Sequence, residues 1–476
     1  MTDKNSEDKK SSGLGGKIIS IFGGVTDSNT PQTVGQSEIE KARSVPLIGV
    51  AKNLSDCPDC GSRHKSVCLR KIEKCKCVAC VDGLEGSLEA LIATFDEERY
   101  MYDEEGLEIV CAATIANFLP ESVSVWLVLI GASGSGKTDF LEIFRGHDKT
   151  QFESKMTGQT LFSGKKGVAH KIWQFNDKCI FVKDLAPMQG GSGDDLKNLF
   201  GYLRDAYDGN VDVSWGSGQA DAHWEGKFGL IAASTFSIDA ELWKFSALGE
   251  RWIRVNLMSS NEITETLTHR ANNNRYGQGE VIALLREKAH AFLNTYIAKA
   301  QTISAENPIE FREELLNQVE RIAIVSAKLR TPVRMNSQGK YIQSNQPEEP
   351  TRLVKQLRAL AESSALVHDR KDVTVEDMKL VLRVAYDGIT NRRQRILRAL
   401  LEGKTSVREI AEYVGGANGT IERELQMLQE IKVVEHKIYV WSLNAFIQEQ
   451  IESSGLVSRI LKTDLSWEQD VDDELI

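Results

Sequence analysis

The residues best suited to chemistry are Gly131-Ala132-Ser133-Gly134-Ser135-Gly136-Lys137-Thr138. The run satisfies every fixed position of G-x-x-x-x-G-K-[ST], a pattern whose backbone N–H groups close around phosphate oxygens. Gly131, Ser133, Gly134, Ser135 and Gly136 would form the cradle, and the start of the following helix would add a positive partial charge. Lys137 is expected to reach the β- and γ-phosphates of ATP, and the Thr138 hydroxyl to ligate Mg2+. Hydrolysis also needs a carboxylate at the end of a neighbouring strand. Cys179-Ile180-Phe181-Val182-Lys183-Asp184 ends in one. Two roles are open to Asp184: magnesium partner, or activator of the attacking water with Lys183 in the metal partner's place. A strand that simply ends in a solvated Lys-Asp pair is the competing reading.

A second chemical cluster lies nearer the N-terminus. Six of the eight cysteines fall between Cys57 and Cys80. Cys57-Pro-Asp-Cys60 and Cys77-Val-Ala-Cys80 are two C-x-x-C pairs, each able to present two thiolates from one tight turn. Together they predict a tetrahedral structural Zn2+ site. Cys68 and Cys75 are alternates, and Cys75 shares a strand face with Cys77, so it competes directly with it.

These groups need a scaffold, and the apolar pattern describes one. The run Val123–Ile130 leads into the glycine loop, followed by helical spacing through Phe140, Leu141 and Ile143. Further apolar runs at Cys179–Val182, Gly229–Ala233 and Trp252–Leu257 are separated by helical patterns, notably Asp195–Tyr207. Strands alternating with helices predict an α/β fold around a parallel sheet. Beyond about Ser260 only helical patterns continue, through Ile389. Residues 391–443 then read as three short helices and a hairpin, the order of a winged helix-turn-helix. Its third helix mixes Thr420, Glu422, Arg423, Glu424 and Gln426, a poor footprint for DNA, so DNA binding and protein docking both stay open. Arg392, Arg393 and Arg395 are the nearest basic patch.

The bulk numbers set the limits. The chain has 476 residues, a net charge of -10, 41% hydrophobic and 26% charged residues. That balance supports a buried core and excludes a general nucleic-acid coat, leaving DNA contacts to local patches. No stretch approaches the roughly 20 apolar residues needed to span a bilayer. With no signal-peptide core in the polar N-terminus, a cytoplasmic location and no membrane partner are expected.

Several motifs in one order carry a resemblance. Phe181-Val-Lys-Asp-Leu185, Tyr202-Leu-Arg-Asp-Ala-Tyr-Asp-Gly209, Trp224-Glu-Gly-Lys-Phe-Gly-Leu-Ile231 and Gly249-Glu-Arg-Trp252 resemble AAA+ ATPases of primase-helicase type from phages and plasmids. The order of parts is also similar to the minichromosome-maintenance branch of AAA+ helicases, over about residues 120–385. The resemblance implies a P-loop AAA+ core with an all-α lid, and a homo-oligomeric ring acting on single-stranded or forked DNA with replication proteins as partners. It places a γ-phosphate sensor at Ser234 and Thr235 and a finger to a neighbour's nucleotide at Arg251. Arg352 then matches the second sensor. It also implies pore hairpins within Val211–Trp224, yet the tip Gly216–Ala220 carries no Lys or Arg. The segment through Gly83, Gly86 and Leu88–Ile92 resembles the zinc ribbon of bacterial primases. The expected plan is thus a disordered segment (1–45), zinc ribbon (46–98), ATPase core (99–260), helical lid (261–390), winged helix (391–445) and acidic tail (446–476). The expected function is a replicative helicase or helicase loader. Its rivals are a non-unwinding ATPase switch in recombination or defence, and a nucleotide-controlled DNA-binding regulator.

Overall fold

The computed structural model describes residues 86–163, 169–185, 193–215, 221–241, 251–273, 277–335, 341–343 and 347–462. The four candidate zinc ligands, the 216–220 tip and the N-terminal segment lie outside the described residues.

Five strands build the central sheet: β1 (Trp126–Ile130), β2 (Thr150–Glu153), β3 (Cys179–Val182), β6 (Gly229–Ser234) and β7 (Trp252–Asn256). They run in the order β2-β3-β6-β1-β7, and every pairing is parallel. Four of them are the apolar runs expected from the sequence. The short edge strand β2 has no such run, because only its two ends are buried. Between β3 and β6 comes an antiparallel hairpin of β4 (Asn210–Val213) and β5 (Ala222–Glu225) outside the sheet.

Strand side chains alternate between two cores, as the two-residue period requires. Leu127, Leu129, Phe181, Ile231, Ile253 and Val255 face a large apolar core. Its helices are α1 (Leu88–Glu98), α2 (Glu104–Ala116) and α3 (Lys137–Glu142), with α7 (Gln278–Ala300), α8 (Glu313–Arg330), α9 (Thr351–Val367) and α10 (Val375–Asp387) beyond. Trp126, Val128, Ile130, Ile180, Val182 and Leu230 face a second core, with Leu199, Phe200 and Leu203 of α5 (Gly193–Tyr207) and Trp224 of the hairpin. A short helix, α4 (Gly158–Leu161), packs on α5, and α6 (Asn261–Asn273) follows β7.

The C-terminal part contains α11 (Asn391–Leu401), α12 (Val407–Val414), α13 (Asn418–Glu430) and an antiparallel hairpin. The hairpin is β10 (Val434–Lys437) with β11 (Val440–Leu443), counting β8 (Arg334–Met335) and β9 (Tyr341–Gln343) before it. Ser406 caps α12 in a reciprocal capping box with Glu409. Two expectations change here. Arg393 is no part of a basic patch: it is buried, bonds Glu424 at 2.7 Å and donates to the Leu329 and Thr331 carbonyls. Glu424, counted among the exposed groups of the third helix, is buried by the same contact. The segment read as an acidic tail begins with two helices, α14 (Ala445–Ser454) on α8 and α15 (Leu456–Lys462) on α10. Likewise α1, placed with the ribbon, packs on α7. Among the described residues, no helix is long and apolar enough to cross a membrane.

Candidate nucleotide site

Parallel strands end at one edge, and the glycine loop leaves β1 at that edge. Gly134 and Gly136 have φ of 80° and 84°, a left-handed backbone that a side chain would strain. A Cβ on Gly131 would come within 2.8 Å of the Ser135 hydroxyl, so the loop closes tightly on itself. Lys137 folds back over it and donates from Nζ to the Gly131 and Ala132 carbonyls at 2.7 and 2.5 Å. Partial burial lowers the Lys137 pKa, and the negative charge of Asp184 opposes that shift. The helix after the loop, α3, is only six residues long. Its dipole is correspondingly small, so the first-turn N–H groups themselves matter more than the helix as a whole.

Strand register places the other candidates around this loop. Ile130 pairs with Ser234, and Val182 with Ala232, so Thr235 and Asp184 lie at the level of the loop on the next strand and the one after. Two strand spacings, with β6 between, separate the backbones of β1 and β3 by about 10 Å. The Thr235 hydroxyl shares a 2.7 Å hydrogen bond with Ser237, and Thr138 and Asp184 are exposed. Lys183 forms an ion pair with Glu142 of α3. Burial of Glu142 works against its charge, but Arg145 and Lys183 hold its carboxyl down to about 2. Asp184 is therefore the strand-end group whose field reaches Lys137. Among the described residues no three His, Cys, Asp or Glu side chains are grouped to hold a metal. Mg2+ bound with nucleotide takes most of its ligands from phosphate and water, and Thr138 with Asp184 fits that smaller protein share.

A cavity of about 330 Å3 opens beside Gly134 and Gly136, lined by Tyr100, Tyr102, Phe140, Arg99 and, from α6, Leu267 and Arg270. Its mixture of rings and cations suits a planar heterocycle and a ribose. Tyr102 also touches the loop itself: its hydroxyl donates to the Ser135 carbonyl at 2.5 Å and its ring stacks on Phe140 at 5.6 Å. Burial pushes the Tyr102 pKa up, which keeps that hydroxyl a donor. Asp103, the next residue, caps α2 and pairs through both oxygens with Arg383 of α10, at 2.7 and 2.6 Å.

Arg251 and Arg352 are not at this edge. Arg251 immediately precedes Trp252, which pairs with Trp126 at the opposite end of β1, about 16 Å from the loop at 3.3 Å per residue. Arg251 is buried, bonds Asp208 at 2.6 Å and lies over the Tyr207 ring at 5.4 Å. Arg352 lies over the same ring at 5.9 Å. Glu348 bridges Arg352 to Arg330, at 3.3 and 2.8 Å. Burial first, and Arg352 second, lower the Arg251 pKa. The structure thus gathers the finger candidate Arg251 and the second-sensor candidate Arg352 at one place, away from their own loop. The sequence reading missed Arg330, Tyr207 and Glu348 in this cluster, and Tyr102 and Arg383 at the other edge. Only the motif Tyr207-Asp208-Gly209 carried a signal for any of them.

No protein-family model matches the chain, and no curated protein matches it.

Proposed function

We propose that the chain is an ATP-driven motor of AAA+ type that acts on single-stranded or forked DNA as an oligomeric ring, in the class of replicative helicases and helicase loaders of phages or mobile elements. One observation carries the reading: the glycine loop with Lys137, the strand-end Asp184 and the Thr235 hydroxyl converge at one sheet edge. In that arrangement loop N–H groups and Lys137 hold the phosphates, Thr138 and Asp184 take Mg2+ or its water, and the adjoining cavity takes the base. Mg2+ would supply charge neutralisation at the transferring phosphoryl group. Arg251 and Arg352, at the far edge, suit a partner subunit's nucleotide better than their own. Cys57, Cys60, Cys77 and Cys80 would hold Zn2+ in a ribbon, and α11 to α13 with the β10–β11 hairpin have the order of a winged helix.

Two observations favour a second reading, a non-unwinding ATPase switch: Gly216–Ala220 carries no basic residue, and Arg393 is buried against Glu424. One experiment separates the two. ATPase activity is measured without DNA, with single-stranded DNA and with forked DNA, and strand displacement is read in the same tubes. A motor displaces strands with DNA-stimulated turnover; a switch hydrolyses ATP without displacement. Lys137→Ala removes the loop's only cationic side chain and should abolish tight ATP binding and turnover; wild-type affinity in that variant would refute the nucleotide site.

A further inference from the structure

Among the described residues that line the cavity beside the glycine loop, Asp139 is the one carboxylate. It stands in the first turn of α3, next to Gly134 and Gly136 in the cavity wall, and is half-buried. Burial pushes its pKa up, Arg99 opposes that and Glu142 adds to it, and none of the described residues donates a hydrogen bond to its carboxylate. A carboxylate drawn out of water with no donor to meet costs free energy that a bound partner can recover.

The chemistry of a nucleotide says which part of it that partner is. Phosphate oxygens accept hydrogen bonds and carry negative charge, so a second anion aimed at them is unfavourable. The groups that can donate are the ribose hydroxyls and the exocyclic amino group of the base. Asp139 lies three helix positions past Gly136, a rise of only about 4.5 Å. Its main-chain N–H donates to the Gly136 carbonyl at 2.9 Å. The short side chain thus starts beside the phosphate cradle, where the sugar follows the phosphates. The base belongs farther along, against Tyr100 and, from α6, Leu267 and Arg270, whose guanidinium lies over the Tyr100 ring at 5.4 Å. A carboxylate facing two neighbouring hydroxyls can accept from both, in charge-assisted hydrogen bonds.

We propose that Asp139 is the ribose-recognising residue of the nucleotide site and makes it selective for ribonucleotides over 2′-deoxyribonucleotides. The inference rests on the reading of the glycine loop as a nucleotide site and names the sugar which that site takes.

The test is isothermal titration calorimetry of the full chain with Mg2+ and ADP, 2′-deoxy-ADP or inosine diphosphate, as wild type, Asp139→Asn and Asp139→Ala. Diphosphates lack the γ-phosphate that turnover would remove, so binding alone is read. Wild type should bind ADP at least about tenfold more tightly than 2′-deoxy-ADP, the loss expected for one hydrogen bond to a charged group. In Asp139→Ala that ratio should fall below about twofold, through weaker ADP binding, while Asp139→Asn, which keeps an acceptor oxygen, should hold an intermediate ratio. A wild-type ratio near one, or a ratio unchanged in Asp139→Ala, would overturn the proposal. So would equal weakening of both nucleotides, the mark of a merely structural role at the start of α3. Inosine diphosphate keeps both hydroxyls and lacks the amino group of adenine, so its affinity relative to ADP should be the same in wild type and Asp139→Ala. A preference for ADP over inosine diphosphate that vanishes in Asp139→Ala would assign the carboxylate to the base and overturn its role at the sugar. The functional reading fails differently: a wild type that binds none of the three loses the nucleotide site and this proposal with it. ADP binding indifferent to the 2′-hydroxyl removes the ribose contact alone.

Discussion

Arg251 holds its charge against Asp208 at 2.6 Å, at the end of the sheet remote from its own glycine loop. A side chain so placed affects hydrolysis only if a second subunit brings a γ-phosphate to it, where it would neutralise charge in the transition state. Arg251→Ala should therefore bind ATP normally and hydrolyse it at least ~10²-fold more slowly. Mixing it with Lys137→Ala protein should restore part of the activity, because each variant supplies what the other lacks at a shared interface. Asp208→Asn is the control: if Arg251 served only to anchor the α5 end, this variant would reproduce the defect and mixing would rescue neither. Normal turnover by Arg251→Ala would remove the trans-acting arginine. At this scale the loop was legible in sequence because its own turn is held by local contacts, such as those from Lys137 to the Gly131 and Ala132 carbonyls. The arginine cluster was not, since Arg352 reaches the Tyr207 ring, and Glu348 joins it to Arg330, only through tertiary packing of elements far apart in sequence.

Elements are joined by ion pairs whose state depends on pH. His368 at the end of α9 lies between Glu108 of α2 and Glu89 of α1, at 3.4 and 3.6 Å. Burial opposes its charge, but bonds to Glu108 and Glu89 outweigh that and raise its pKa to about 9. The folded chain thus keeps a proton that the unfolded chain, near 6.5, gives up. The resulting stability, up to about 3 kcal/mol, is fully present below pH 6.5 and is lost as pH rises through 9. Urea unfolding at pH 6.5, 8 and 9.5 should show this decline in the wild type and not in His368→Gln; parallel declines would show that other groups cause it. Element positions followed closely from apolar periodicity, as with α5 and β3. The exceptions were β2, whose burial is confined to its ends, the short β8–β9 pair inside the stretch expected to be all-helical, and α14 and α15, where the acidic composition farther on hid two short helices.

Across the whole molecule, one buried pair binds the first helices to the later ones. Asp103 and Arg383 are 0% and 1% exposed, and Asp103 also accepts from the Gly106 and Met258 N–H groups. Arg383 in turn donates to the Asn256 carbonyl at the end of β7. Removing one partner leaves a buried charge uncompensated, so Arg383→Met should cost about 3–5 kcal/mol in urea unfolding. Asp103→Asn with Arg383→Met should cost less than the two single losses added, and a single-variant loss below about 1 kcal/mol would show that the pair is not buried as described. No sequence pattern marks this contact, because its partners are 280 positions apart.

That separation also sets a timetable. At roughly 5–20 residues per second of synthesis, about 14–56 s pass between the appearance of Asp103 and that of Arg383. Within that interval every strand of the parallel sheet is made, from Trp126 to Asn256, while the carboxylate at the head of α2 has no guanidinium to meet. The nascent chain must carry the start of α2 open to water until α10 arrives, so the nucleotide edge can settle into its final form only late in synthesis.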